Sequence, residues 1–137
     1  VKGIPKKPED TLTGYLLKDE KTKTVKVFDK NPPKGAKNII TKYKVIAKRE
    51  STALLEVELL TGRTHQIRVQ MAGISHPVYG DMRYGGALAQ KGKLALWAYS
   101  LSFSHPITKE RMRFIACPPE TETPWKAFDV SKAVEIE

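Results

Sequence analysis

The strongest constraint on how this chain can fold lies between residues 54 and 72, where the hydrophobic period changes. In Leu54-Leu55-Glu56-Val57-Glu58-Leu59, the apolar residues Leu55, Val57 and Leu59 recur every second position, the period of a half-exposed strand. From Thr64 to Met71 the period lengthens: His65, Arg68 and Ala72 are one helical turn apart, and Ile67 and Met71 lie four apart on an adjacent stripe. A strand must therefore hand over to a short helix across Thr61-Gly62-Arg63.

That strand needs a partner, and the sequence offers one immediately before it. Ile39 to Ala47 alternates around Ile40, Tyr43 and Val45, and the short polar link Lys48-Arg49-Glu50-Ser51 predicts an antiparallel pair. Upstream, Leu12–Leu17 and Val25–Phe28 flank the charged stretch 18–23 and read as an exposed hairpin, closed off by Asn31-Pro32-Pro33-Lys34-Gly35. Downstream, 76–86 is rich in Gly and Pro and reads as a loop. Leu94–Phe103 and Arg113–Ala116 are expected strands, and Pro124–Phe128 is expected to open a terminal helix. The sum is an α+β fold with a curved, mainly antiparallel sheet and a few short helices, and 137 residues fit one unit spanning 1–137.

Charge narrows the partners. The formal net charge is +9, and residues 1–50 hold 14 basic against 6 acidic side chains. Such an excess suits a polyanion, either nucleic acid or an anionic membrane surface. The sequence offers neither a long apolar run nor a basic amphipathic helix with a broad apolar face, so nucleic acid is the expected partner and no membrane is. The lone Cys117 can form neither an internal disulfide nor a thiolate metal cluster, which fits a reducing, cytoplasmic setting. Val1 follows no Met and the first residues hold no signal-like apolar region, so a segment upstream is expected and secretion is not.

The chemistry-bearing stretch is Gly62-Arg63-Thr64-His65-Gln66-Ile67-Arg68, at the expected strand-to-helix junction. Free backbone N–H groups at a helix start favour an anion, and an arginine fork can bind a carboxylate or phosphate through two parallel bonds. These residue types support either an anion site or a structural salt bridge.

Taken with its flanks, this stretch resembles a known family. Thr61-Gly62-Arg63-Thr64-His65-Gln66-Ile67-Arg68-Val69, followed by His76-Pro77-Val78-Tyr79-Gly80-Asp81 and Tyr84-Gly85, is similar to the late signature of RluA/RluD-like RNA pseudouridine synthases. The likeness extends through Thr11–Leu16 and through Leu94–Ala98 with Leu101–Pro106. The resemblance implies an RNA partner, ribosomal or transfer, and the isomerisation of particular uridines to pseudouridine. A flipped uridine meets an aspartate, and the base is detached, rotated and rejoined through carbon 5. No metal and no organic cofactor take part.

By the same resemblance, Arg68 matches the arginine that holds the catalytic aspartate. Arg63 and His65 are supporting RNA-binding residues, and Leu94 and Leu96 match the segment that packs an aliphatic side chain on the base. Plainer roles stand beside these: a phosphate contact or backbone tie for Arg63, a structural histidine, and ordinary strand core for the leucines.

The family's early His-Arg-Leu-Asp motif is absent, since Asp10, Asp19, Asp29, Asp81 and Asp129 all lie in other contexts. Asp81, in a Gly-Asp turn, is expected to cap or brace that turn rather than act as nucleophile. Val1-Lys2-Gly3 resembles the tail of the family segment Tyr-Leu-Ala-Leu-Val-x-Gly, so both the aspartate and the base-stacking tyrosine are expected upstream of residue 1. Gln70 and Trp97 stand where the family often has histidine. On this basis the chain is expected to be the C-terminal portion of a synthase catalytic domain, inactive alone. A non-catalytic RNA-binding module is the alternative, and the sequence leaves the oligomeric state open.

Overall fold

The computed structural model describes residues 1–134. Four antiparallel strands, β1 (Glu9–Lys18), β2 (Val25–Phe28), β3 (Lys37–Arg49) and β4 (Thr52–Leu59), form one sheet in the order β2-β1-β3-β4. Helix α1 (Gln66–Gly73) follows β4; a separate two-stranded sheet of β5 (Ser100–Ser104) and β6 (Arg111–Ile115) comes later, and a short helix α2 (Val130–Ala133) lies near the end. The mainly antiparallel α+β architecture agrees with the sequence expectation.

The register explains why the large sheet has one apolar face. Leu12 lies opposite Thr41, Gly14 opposite Ile39, Tyr43 opposite Val57 and Val45 opposite Leu55, so these side chains share one surface. Against it α1 sets Ile67, Val69 and Met71, building two adjoining clusters, one around Ile39 and Val69, the other around Tyr43 and Met71. The opposite face is polar: Lys42 pairs with Glu58 and Lys44 with Glu56 directly across β3 and β4. Opposite charges at such positions favour this register by a few tenths of a kcal/mol, roughly 0.2–1 per pair.

Two features depart from simple alternation. Ile40, expected to share a face with Tyr43 and Val45, is out of phase with them; the buried row is Ile39, Thr41 and Tyr43. A register shift between Val45 and Ala47 then places Ile46 and Ala47, with Leu54, against Phe128 and Val130 in a third cluster. One extra residue reverses which side chains face which side, and the C-terminal segment covers the apolar patch so created.

Two expected elements differ in extent, and one residue differs in burial. Residues 94–99 are not strand, and β5 begins only at Ser100. The earlier part of this segment has a single backbone bond to its neighbour, Ala95 N–H to Tyr79 C=O at 2.8 Å, too few for a ladder. The expected helix at 124–128 is a single tight turn over Trp125–Ala127, after which Asp129 caps α2 by accepting from the Lys132 N–H. Leu59, expected on the buried face, is 48 % exposed. Among the described residues no helix is long and apolar enough to cross a membrane.

Candidate functional site

The handover from β4 to α1 is fixed by side-chain hydrogen bonds rather than by a cap. Gln66, buried, accepts from the Thr61 hydroxyl at 2.8 Å and the Arg63 N–H at 3.1 Å, and donates to the Ile40 carbonyl at 3.1 Å and to Thr41 Oγ1 at 2.7 Å. Thr41 passes its own proton to Gln70 Oε1 at 2.5 Å, and Gln70 donates to the Leu12 carbonyl at 3.1 Å. Each amide and hydroxyl in this buried chain has a definite direction and a partner, as burial requires. Gln70, which departs from the family's frequent histidine, thus serves as a link between α1 and β1.

This network locks the rotation of α1 and so decides where Arg68 points. Two residues beyond Gln66, Arg68 stands about 200° further round the helix, away from the sheet. There it meets the turn after Gly80. Arg68 Nε donates to Asp81 Oδ2 at 3.0 Å and Nη2 to Oδ1 at 2.9 Å, a two-bond ion pair. The Asp81 side chain is fully buried and that of Arg68 is 17 % exposed.

Asp81 also accepts from the Arg83 N–H at 3.2 Å and the Tyr84 N–H at 3.1 Å. The bracing of the turn expected from sequence is present, and the ion pair is added to it. Burial pushes the Asp81 carboxyl up, but the Arg68 bond, the Tyr84 and Arg83 N–H groups and the Arg68 charge outweigh it and hold the group below its usual range. With its acceptors filled and no exposure, Asp81 is unsuited to act as a nucleophile. The bond from Asp81 in turn raises the pKa of Arg68.

The turn is held against the sheet edge by two contacts and against α1 by a third. Tyr84 Oη accepts from the Val25 N–H at 3.3 Å, Arg83 Nη1 donates to the Lys23 carbonyl at 3.3 Å, and the Arg68 guanidinium lies 5.1 Å from the centre of the Tyr84 ring. Gly80, at φ +82°, makes the close approach of the next segment feasible, since a Cβ there would collide with the Lys93 carbonyl. Leu94 is thereby brought beside the Gly80-Asp81 turn.

His65 is not the first residue of the helix but the left-handed residue before it, at φ 57°. Histidine is among the non-glycine residues enriched there. Its Nδ1 lies 2.6 Å from Tyr84 Oη. The Val25 N–H also donates to that oxygen, which leaves the phenol proton available to Nδ1 of a neutral imidazole. Burial, then the Arg68 and Arg83 charges, lower its pKa, with Asp81 opposing.

The remaining expected residues are placed less tightly. Arg63 is exposed, and its backbone alone is tied down, both N–H and carbonyl bonding Gln66. Leu94 is 39 % and Leu96 41 % exposed. Leu96 lines a small apolar cavity of about 60 Å³ with Val57, Ile67 and Met71, so it stands on the sheet side of α1 rather than with Arg68. Trp97 donates from its indole to the Ala116 carbonyl at 2.8 Å. Sequence reasoning did not foresee the Arg68–Asp81 pair or the Tyr84–His65 bond. The Gly80-Asp81 pair signalled a turn, but nothing in it announced what the turn would face. Among the described residues no group of three or more His, Cys, Asp or Glu side chains could hold a metal ion.

Comparison with known proteins places this geometry in context. Residues 1–73 match the family model described as RNA pseudouridylate synthase. An uncharacterized RNA pseudouridine synthase of Bacillus subtilis, YjbO, is 41% identical over 105 residues, covering 77% of this chain and 34% of that protein. The MG209 homolog of Mycoplasma pneumoniae, also an uncharacterized RNA pseudouridine synthase, is 42% identical over 114 residues, 80% of this chain and 37% of its own length. Ribosomal large subunit pseudouridine synthase D of Vibrio cholerae is 40% identical over 98 residues, 61% of this chain and 30% of its own length. In fold the chain is similar to human RNA Pseudouridylate Synthase Domain Containing 1, with a TM-score of 0.70 over 98% of this chain and 61% of that one at 19% identity. The chain thus spans about a third of the length of these curated relatives.

Proposed function

Because this chain belongs to the RNA pseudouridylate synthase family, in its RluA/RluD-like branch, we propose that it forms part of an enzyme that isomerises particular uridines of structured RNA to pseudouridine. The observation that carries this reading is the fixed Arg68 guanidinium, set at the sheet–helix junction within the matched family signature. Arg68 holds the catalytic aspartate ionised and oriented, and that aspartate comes from polypeptide outside these 137 residues. Among the described residues Asp81 is the aspartate bonded to Arg68, and it is saturated.

RNA is the expected substrate class, with ribosomal RNA the first choice, as the Vibrio relative's name suggests, and transfer RNA the second. The exposed lysines of the β1–β2 turn and Arg63 supply charge for phosphates, and Arg83 and Lys18 extend positive potential to His65. The target base must leave its stack, which is easiest in single-stranded loops. Leu94 packs on that base, a role supported by its position next to the Gly80-Asp81 turn, and His65 contributes to RNA binding from the same junction. No metal or organic cofactor is called for, and a cytoplasmic location fits this reading.

Tritium release from RNA labelled at uridine carbon 5, measured with the full protein of this reading frame, tests the proposal. Arg68→Ala is expected to lower turnover about 1,000-fold, to a residual rate that can still be measured, and to leave RNA affinity nearly intact. Equal turnover in that variant would remove Arg68 from the mechanism. RNA binding without tritium release by the unaltered protein would favour a non-catalytic RNA-binding module.

A further inference from the structure

An arginine already committed to a buried carboxylate is an unexpected choice to hold a second acid. The geometry at Arg68 resolves this. A guanidinium has two forks: a side fork made of Nε and the adjacent Nη2, and an end fork made of Nη1 and the outer N–H of Nη2. Asp81 fills the side fork, with bonds at 3.0 and 2.9 Å. Among the described residues no other acceptor bonds Arg68, so the end fork is free, and the side chain retains 17 % of its exposure.

Nothing in this arrangement is loose. The acceptor is itself held by the Arg83 and Tyr84 N–H groups, and the Tyr84 ring lies 5.1 Å from the guanidinium carbon. The ring is anchored in turn, because its hydroxyl bonds both the Val25 N–H and His65 Nδ1. A side chain with several rotatable bonds is thus reduced to one orientation before any second acid arrives.

We propose that Asp81 is a positioning residue for the reaction: by occupying the side fork of Arg68, with Tyr84 against the guanidinium, it presents the end fork to a second carboxylate, that of the reacting aspartate. This inference rests on the function proposed above. It assigns Asp81 a role in turnover that it performs through Arg68 without touching the substrate. Arg68 then serves two acids at once, one structural and one chemical, which a lysine could not do with the same geometry.

A double-mutant cycle in the full protein tests it, with tritium release and thermal unfolding measured for each variant. Asp81→Asn keeps an acceptor for the turn but cannot offer two oxygens to the side fork. It is expected to lower kcat about 100-fold with KM changed by less than about twofold, as a small misplacement of a catalytic group does. Combined with Arg68→Ala it should cost nothing beyond Arg68→Ala alone, since a residue acting through Arg68 has nothing left to position. A folded Asp81→Asn protein with near-normal kcat, or losses that multiply in the double variant, would overturn the inference. Should Asp81→Asn not fold, Tyr84→Leu takes its place: a fall in kcat of about tenfold at unchanged KM supports the clamp, and full kcat refutes it. Absence of tritium release by the unaltered protein sinks the functional reading and this inference together, whereas normal release by both it and Asp81→Asn sinks the inference alone.

Discussion

The junction around Arg68 and the β5–β6 hairpin are built on opposite principles. At the junction, Gln66, Gln70, Thr41, Arg68, Asp81, His65 and Tyr84 form directed bonds that tie together segments distant in sequence. In the hairpin, every β5 residue is exposed, and Leu101, Phe103 and Phe114 are 63 %, 38 % and 53 % exposed. Its main internal packing is the stacked pair Phe103–Phe114, with ring centres 5.9 Å apart. The difference shows where specificity resides. Directed polar bonds fix one geometry and make errors costly, while a two-stranded ribbon with no covering layer is held by local pairing and is marginal by itself.

Breaking the junction should therefore have the largest effect. Asp81→Ala leaves the Arg68 charge mostly buried without a partner, and a loss of about 3–5 kcal/mol is expected in urea unfolding. A loss below about 1 kcal/mol would mean that the pair behaves like a surface bridge. Thr41→Val is next: it strands one N–H of the Gln66 amide and Gln70 Oε1, for an expected loss of about 1–3 kcal/mol. A neutral result in the same titration would show that both glutamines find other partners.

Acid should dissect the junction further. The folded Asp81 carboxyl titrates below its unfolded value, so its contribution is complete above the ordinary carboxylate range and is lost as pH falls through the folded value. The folded His65 also lies below its unfolded value, so stability falls once pH drops below about 6.5, where the unfolded state gains the proton first. His65→Asn, which tolerates the left-handed backbone, should remove the histidine's part of the decline that sets in below about pH 6.5 and leave the deeper acid loss. An unchanged slope there would contradict a lowered His65 pKa. The smallest effect belongs to the hairpin: Phe114→Ala should cost less than about 1.5 kcal/mol globally. By hydrogen exchange, β5 and β6 amides should exchange faster than those of β3 and β4, and equal protection would erase the contrast between the two regions.

The same contrast governs what could be read in advance. The β3–β4 pair and the helix after it were legible because alternation at 55 and 57 and helical spacing from 64 report which face packs, although Leu59 does not follow it. The phase of Ile40 and the shift at Val45/Ala47 were not, since a strand with apolar residues on both sides carries no unique period. Residues 94–99 looked like strand because they are apolar, yet strand formation needs a neighbour that composition does not reveal.

The site divides along the same line. The sequence itself determined the one-sided sheet, the helix that follows it, the cationic character and the signature containing Arg63, His65 and Arg68, because these depend on residue type and near-neighbour spacing. Only tertiary structure decided that Asp81 fills one fork of Arg68, that Tyr84 bonds His65, and that Leu94 rather than Leu96 stands beside that turn. Those relations depend on how α1 is rotated on the sheet and on which loop closes over it. The rotation is fixed by Gln66 and Gln70 reaching β3 and β1, bonds between residues as far apart in sequence as Gln70 and Leu12, which no local pattern encodes.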